Sequence, residues 1–285
     1  LTNINNAIDV MALSRFLDKA SSELGLRILS GVVMATIAIA AALLGGWWLA
    51  GLMLILALCI VHEWFAMTGC AGKWAAMAAI VAIWIAMSAY SGGIVLALYL
   101  LFMGAVGTAM FSLIRRGGEG GGWAAAGMIY AALPLIALLW IREAEGGGGA
   151  LLWLFFVIWS TDTAAFIVGK LIKGPKLAPA ISPGKTWSGA VGGLVGATVI
   201  GVALASLLSA EPGRAASLAV LVSLAAQCGD LLESGIKRRF GVKDSGQLIP
   251  GHGGVMDRLD SLVVAGPVFT IVITLFAALT GAMNG

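Results

Sequence analysis

The sequence predicts an all-α polytopic membrane protein of about nine transmembrane helices, with a cytoplasmic N-terminus and polar loops on the cytoplasmic side. Three observations carry this. Of 285 residues, 60% are hydrophobic and only 11% charged, against roughly 25% charged in a soluble domain. Apolar windows of about 20 residues, enough to cross a hydrocarbon core of roughly 30 Å, recur along the chain. The basic residues gather on alternate connections between those windows.

The elements follow in order. Residues 1–26 are polar and amphipathic, with Leu13, Phe16 and Leu17 on one side. They read as an interfacial segment rather than a span, and no signal peptide is evident. Spans are expected near 28–45, 47–67, 74–90, 93–113, 123–141, 150–169, 187–209, 215–231 and 261–282. Short glycine-containing turns join the first to the second and the third to the fourth, as in helical hairpins. The chain divides into an N-terminal transmembrane set over 27–145 and a C-terminal region over 146–285 that holds the polar motifs. With alternating spans, 15 of the 17 Lys and Arg residues fall inside, and only Arg142 and Arg214 outside. That asymmetry fixes the orientation. The glycine runs at 117–122 and 146–149 are connectors. Gly189, Gly192, Gly193 and Gly196 repeat small residues every four positions in the seventh span, which lets a helix approach closely. That helix belongs either to this chain or to a second copy. Cys59, Cys70 and Cys228 form no Cys-x-x-Cys pair and read as small buried hydrophobes.

Two inner segments break the apolar pattern. The first runs from Lys170 to Thr186 and the second from Asp230 to Ser261. Asp162 and Asp230 stand near the inner ends of spans, where an ionised carboxylate must be paired or solvated. Asp230, Glu233, Ser234 and Lys237 share one helical face, and Asp257, Asp260 and Ser261 repeat the spacing. Two such acidic faces suit a hard divalent cation, or pair with Lys237, Arg238 and Arg258. Mg2+ prefers one or two carboxylates with phosphate oxygens and water. Between the faces, Gly251-His252-Gly253-Gly254 enters a helix, and its backbone N–H groups make an anion site. Gly184-Lys185-Thr186 looks like the tail of a phosphate-binding loop, but Pro179 stands where that motif needs glycine and no strand precedes it. Ser182, Lys185 and Thr186 still suit a nucleotide phosphate. Glu63, beside His62 and Trp64, is an intramembrane carboxylate with either a functional role or an internal hydrogen bond.

The stretch from Ser234 to Asp260, with Lys237, Arg238, Lys243, Pro250, His252, Gly253, Gly254, Asp257 and Arg258, closely resembles the signature of the phosphatidate cytidylyltransferases. The stretches Asp162–Lys170 and Lys176–Thr186 are similar to a second motif region of that family. The likeness is strong over roughly 160–261 and elsewhere rests on hydropathy and the Glu63 region. One departure is visible: Ser188 stands where many members carry an acid. The resemblance implies CTP + phosphatidate → CDP-diacylglycerol + pyrophosphate, with Mg2+ and a possible second cation, at the cytoplasmic face of a bacterial inner membrane. Asp230 and Asp257 are then expected as metal ligands, with Asp260 and Asp162 as further contributors and Asp162 also at the substrate. Lys237, Arg238, Lys243 and Arg258 would meet phosphate oxygens. Ser182, Lys185, Thr186, His252, Gly253 and Gly254 would hold the nucleotide. CTP, phosphatidate and membrane lipids are the implied partners, with no nucleic acid among them and a homodimer left open. A CTP-dependent lipid kinase and a transporter are the rival readings; the crowding of ionisable groups at one face disfavours the transporter.

Overall fold

The computed structural model describes residues 25–26, 28–69, 93–116, 120–207, 210–249 and 253–280. The helices are α1 (Ile28–Leu44), α2 (Gly46–Thr68), α3 (Ile94–Arg116), α4 (Gly121–Glu143), α5 (Gly147–Ile172), α6 (Trp187–Leu207), α7 (Pro212–Arg239) and α8 (Met256–Thr280). Six of them, α2 and α4 to α8, are long and apolar enough to cross a membrane, and Ile28–Leu44 and Val95–Phe111 are shorter apolar helical stretches. The chain is a polytopic helical membrane protein. The interfacial segment expected over 1–26 falls almost wholly outside the described residues, as do the third expected span, Cys70 and His252.

Two boundaries differ from expectation, and both matter to the site. The eighth expected span, 215–231, continues as helix to Arg239, and the ninth starts at Met256 rather than 261. Polar residues at helical spacing carry these ends beyond the apolar run, so hydropathy understates them. The second departure is a strand pair in a chain expected to be all-α. Lys176–Ala178 (β1) pairs antiparallel with Ser182–Thr186 (β2), Lys176 opposite Thr186 and Ala178 opposite Ser182.

Helix α4 is the axis of the bundle. Of its membrane window 72% is buried, more than in any other span, and it packs against α2, α3, α5 and α8. The remaining helices turn large apolar side chains outward, among them Trp47, Val95, Phe166 and Leu207, a surface that suits lipid rather than water. With lipid tails as apolar as the core, helix association there rests on close packing and on polar contacts between helices.

Both kinds of contact are visible. The glycine stripe of α6 packs on α5 of the same chain, the most extensive helix pairing among the described residues. A Cβ on Gly192 would stand 2.5 Å from Val168, and one on Gly193 3.0 Å from the Thr161 carbonyl. Internal packing, rather than a second copy, occupies this face. Trp153 Nε1 donates to the Gly201 carbonyl at 2.8 Å, and Gln227 Nε2 to the Ala190 carbonyl at 3.3 Å. At the opposite end, Arg142 of α4 donates to the carbonyls of Ala42 and Leu43 at 2.8 and 3.1 Å. These are unpaired acceptors at the C-terminus of α1, and a cation suits that helix end. Gly45, at φ +62°, admits the guanidinium where any Cβ would lie 2.6 Å from it.

Gly192→Ala should therefore lower the thermal unfolding midpoint in detergent, at a cost of about 1–3 kcal/mol. Gly51→Ala, where a Cβ meets nothing within 4 Å, should leave the midpoint close to wild type.

Candidate active site

Three helices and the hairpin converge at one face of the bundle. The inner half of α5 brings Asp162, β2 brings Ser182 and Lys185, α7 brings Asp230, Glu233 and Lys237, and the first turns of α8 bring Asp257 and Asp260. Gly229 makes the convergence possible. A side chain there would collide with the Asp260 carbonyl, so α7 and α8 approach at the level where both carry acids.

Asp162, Asp230 and Asp260 lie close enough for their charges to repel one another. Lys185 answers one of them, its Nζ 2.6 Å from Asp230 Oδ2. Lys237 answers two others, 2.7 Å from Asp257 and 3.3 Å from Glu233. Glu233 is fully buried, and beyond the Lys237 ion pair neither carboxylate oxygen has a hydrogen-bond partner among the described residues. The Tyr130 hydroxyl, on α4, is likewise buried, has no hydrogen-bond partner among the described residues and faces the charges of Glu233, Asp260, Asp257 and Asp230. Such groups are costly to leave unmatched. Sequence reasoning missed Tyr130, because a tyrosine in an apolar span gives no spacing signal. Glu233 shared the acidic face in sequence but was not singled out as a site residue.

Two cavities meet here. One, of about 480 Å3, has a polar wall of Asp162, Ser182, Lys185, Thr186, Gln227 and Asp230, and Lys170 stands at its edge. The other, of about 120 Å3, lies between α1, α2, α5 and α8 and is lined by side chains such as Leu52, Met53, Phe155 and Leu262, with Arg258 at its border. Asp162 lines both, and Ser261 Oγ lies 3.5 Å from its carboxylate oxygens.

The glycine turn is an anion site, as expected, but its anions belong to the protein. Gly254 N–H donates to Asp257 Oδ2 at 2.9 Å, and Val255 and Met256 N–H donate to the Glu63 carboxylate at 2.8 Å each. Both Asp257 oxygens also accept from Ser245 N–H. The carboxylate expected to meet a metal therefore meets Lys237 and two backbone donors. The N–H groups of Gly254 and the residues after it, expected to meet phosphate, meet carboxylates. Gly253, at φ +82°, has the left-handed conformation that the turn requires, next to Asp257.

Other expected residues take structural positions. Thr186 is buried, and its Oγ1 accepts from Gly189 N–H at 3.1 Å, capping α6. Ser188 Oγ donates to the Lys173 carbonyl, a bond that an unprotonated acid at this position has no hydrogen to make. Arg238 donates to the carbonyls of Ile181 and Val242 at 3.3 and 3.2 Å, fastening the hairpin to the loop after α7. Lys243 is exposed.

Among the described residues no three His, Cys, Asp or Glu donors stand together as a ready metal cage. The acids nevertheless fit a hard cation that takes one or two carboxylates and completes its shell with phosphate and water. The orphaned oxygens of Glu233 and the mutual repulsion of Asp162, Asp230 and Asp260 both call for positive charge.

The model of the cytidylyltransferase family matches residues 25–276. Phosphatidate cytidylyltransferase of Brucella suis biovar 1 (strain 1330) is 39% identical over 265 residues, covering 90% of this chain and 95% of the relative. The Rickettsia bellii (strain RML369-C) enzyme of that name is 30% identical over 267 residues, covering 88% and 91%. That of Rickettsia typhi (strain ATCC VR-144 / Wilmington) is 41% identical over 152 residues, covering 50% and 66%.

Replacing Lys237 by Met leaves Glu233 and Asp257 without their cation and should cost about 3–5 kcal/mol. Adding Glu233→Gln should recover part of that loss, read as thermal unfolding of the single and double variants in detergent.

Proposed function

The chain belongs to the cytidylyltransferase family, and we propose that it is a phosphatidate cytidylyltransferase acting at the cytoplasmic face of the bacterial inner membrane. It joins CTP to phosphatidate, giving CDP-diacylglycerol and pyrophosphate. The observation that carries this reading is the pair of cavities that share Asp162. The polar one suits a nucleotide triphosphate; the apolar one, with Arg258 at its border, suits the glycerol end of a lipid.

A phosphomonoester is largely dianionic near neutral pH, its second pKa being about 6. The phosphatidate oxygen therefore needs little help from a base. It attacks the α-phosphorus of CTP, a P–O bond forms, and the bond to the β-phosphate breaks with its electrons leaving on pyrophosphate. The difficulty is to bring two anions together. Lys185 and Ser182, with Lys170 at the edge, would hold the triphosphate, and Arg258 the lipid phosphate. Lys243 and Arg238 add positive charge at the cytoplasmic approach. His252 and Gly253 remain candidates for nucleotide contacts.

Asp230 and Asp260, with Glu233 behind them, would hold Mg2+, which when bound neutralises charge developing on the phosphoryl oxygens. Asp257 is better read as the anchor of the glycine turn, since four hydrogen bonds already occupy its oxygens. In the absence of a bound cation Lys185 and Lys237 hold the acids in place.

Orientation follows from the basic residues. Those of the site lie at one face, and Arg142 and Arg214 at the other. Nine alternating spans are part of this proposal. The interfacial segment over 1–26, the division at about residue 145 and a homodimer stay part of this proposal.

Asp230→Asn should abolish turnover while the protein still folds and purifies as wild type. The assay uses detergent-solubilised protein, phosphatidate, Mg2+ and CTP labelled separately at the α and γ positions. Label from the α position in the lipid, with pyrophosphate released, is the expected result for wild type; γ label in the lipid would make the chain a kinase. Lys185→Gln should raise KM for CTP by about tenfold, the scale of one charged contact to phosphate.

A further inference from the structure

Glu63 is far from the motif region in sequence and touches neither cavity, yet it accepts three hydrogen bonds from residues more than 180 positions away. Its carboxylate is 2% exposed. It accepts from Ser245 Oγ at 3.0 Å and from the N–H groups of Val255 and Met256 at 2.8 Å. Among the described residues no Lys or Arg forms an ion pair with it, so its charge is balanced by the N-terminus of α8 and by a hydroxyl. An anion at a helix N-terminus is stabilised by just these donors.

The fit is tight on every side. A Cβ on Gly246 would lie 2.8 Å from Glu63 Oε1, and one on Gly254 would stand 2.6 Å from Oε2 and collide with Ser245 Oγ. The middle of the loop between α7 and α8 and its end at Gly254 are thus built around one carboxylate. Next to it, Ser245 N–H and Gly254 N–H hold Asp257, and Asp257 holds Lys237. On its own helix, Glu63 is fixed by the neighbouring Trp64, whose Nε1 donates to the Trp123 carbonyl of α4 at 2.9 Å.

We propose that Glu63 is a positioning residue for cytidylyl transfer: from α2 it sets the loop after Asp244 and the start of α8, and through them Asp257, Lys237 and Asp260. The proposal rests on the activity given above. Its action is on geometry at the reacting phosphates rather than on CTP binding, because Lys185 and Ser182 hang from β2. A displacement of about 1 Å in such a frame costs up to a hundredfold in rate.

The test compares wild type, Glu63→Gln and Ser245→Ala in detergent with phosphatidate, Mg2+ and CTP. Glu63→Gln keeps the size but loses one acceptor. It should lower kcat about tenfold or more while KM for CTP stays within about threefold. Amide exchange should accelerate in peptides covering 244–258 and stay at wild-type rates in α5 and α6. Ser245→Ala, which removes one of the three bonds, should lower kcat by a smaller factor and be non-additive with Glu63→Gln. Unchanged kcat in either variant with locally faster exchange overturns the proposal, as does exchange that rises throughout the bundle. Should Glu63→Gln fail to fold, the kcat and exchange of Ser245→Ala decide alone. If wild type itself transfers no α label, the activity reading fails, and the exchange pattern still reports whether Glu63 sets the loop.

Discussion

The Lys237 ammonium, 2.7 Å from Asp257 and 3.3 Å from Glu233, is the contact on which the rest of the site depends. Its neighbours could not be buried without it. Glu233 has no accessible surface, and among the described residues its oxygens have no hydrogen-bond donor beyond that electrostatic partner. Asp257 has two backbone donors as well, so the lysine ties an under-satisfied acid on α7 to a well-satisfied one on α8. Removing the cation exposes two carboxylates to an interior that cannot solvate them. Keeping it places a positive charge near Asp230 of the same helix and Asp260 of α8, which present more negative charge.

That arrangement depends on small residues elsewhere. Gly229 lets α7 and α8 close at the level of the acids, and the α6 stripe lets α5 carry Asp162 to the same level. In a membrane the hydrophobic effect does not bring helices together, so close backbone approach and interhelical hydrogen bonds carry more of the association. The glycines and the charged cluster are therefore two parts of one design. The first supplies the proximity that makes the second repulsive, and the lysines and any bound cation then hold it.

The hydrophobic pattern made most of the bundle legible, because a window of apolar residues has the same meaning at every position in the chain. The site was legible by residue type and less so by role. Asp162, Asp230, Lys185 and Ser182 do line one cavity. Helix α7 was read short because its last two turns are polar, although Asp230, Glu233 and Lys237 keep helical spacing. The hairpin escaped because Ser182-Pro-Gly-Lys-Thr186 lacks alternation. Thr186 proved to be a cap, a role its position two residues before Ser188 does not announce. The anion-binding nature of the glycine turn was readable from its backbone; which anion fills it was not. Glu63 lies 192 residues from Val255 in the chain, and no local pattern encodes a contact of that separation.

The filled turn changes how the signature is understood. Backbone N–H groups at a helix start are the strongest anion site a glycine-rich stretch can offer, and here two acids of the protein occupy them. A substrate phosphate at the same donors would have to displace a buried carboxylate and leave it unpaired, at a cost of several kcal/mol. The more economical use of such a turn is as a joint. Its glycines are needed because Ser245 and the Glu63 carboxylate leave no room for a Cβ at Gly254, and Gly253 takes a left-handed turn with Asp257 against it. On this view the dense run of glycines and charges between Asp230 and Asp260 divides its labour. The glycines and Asp257 shape the frame, and the acids and lysines that face the cavity do the chemistry within it.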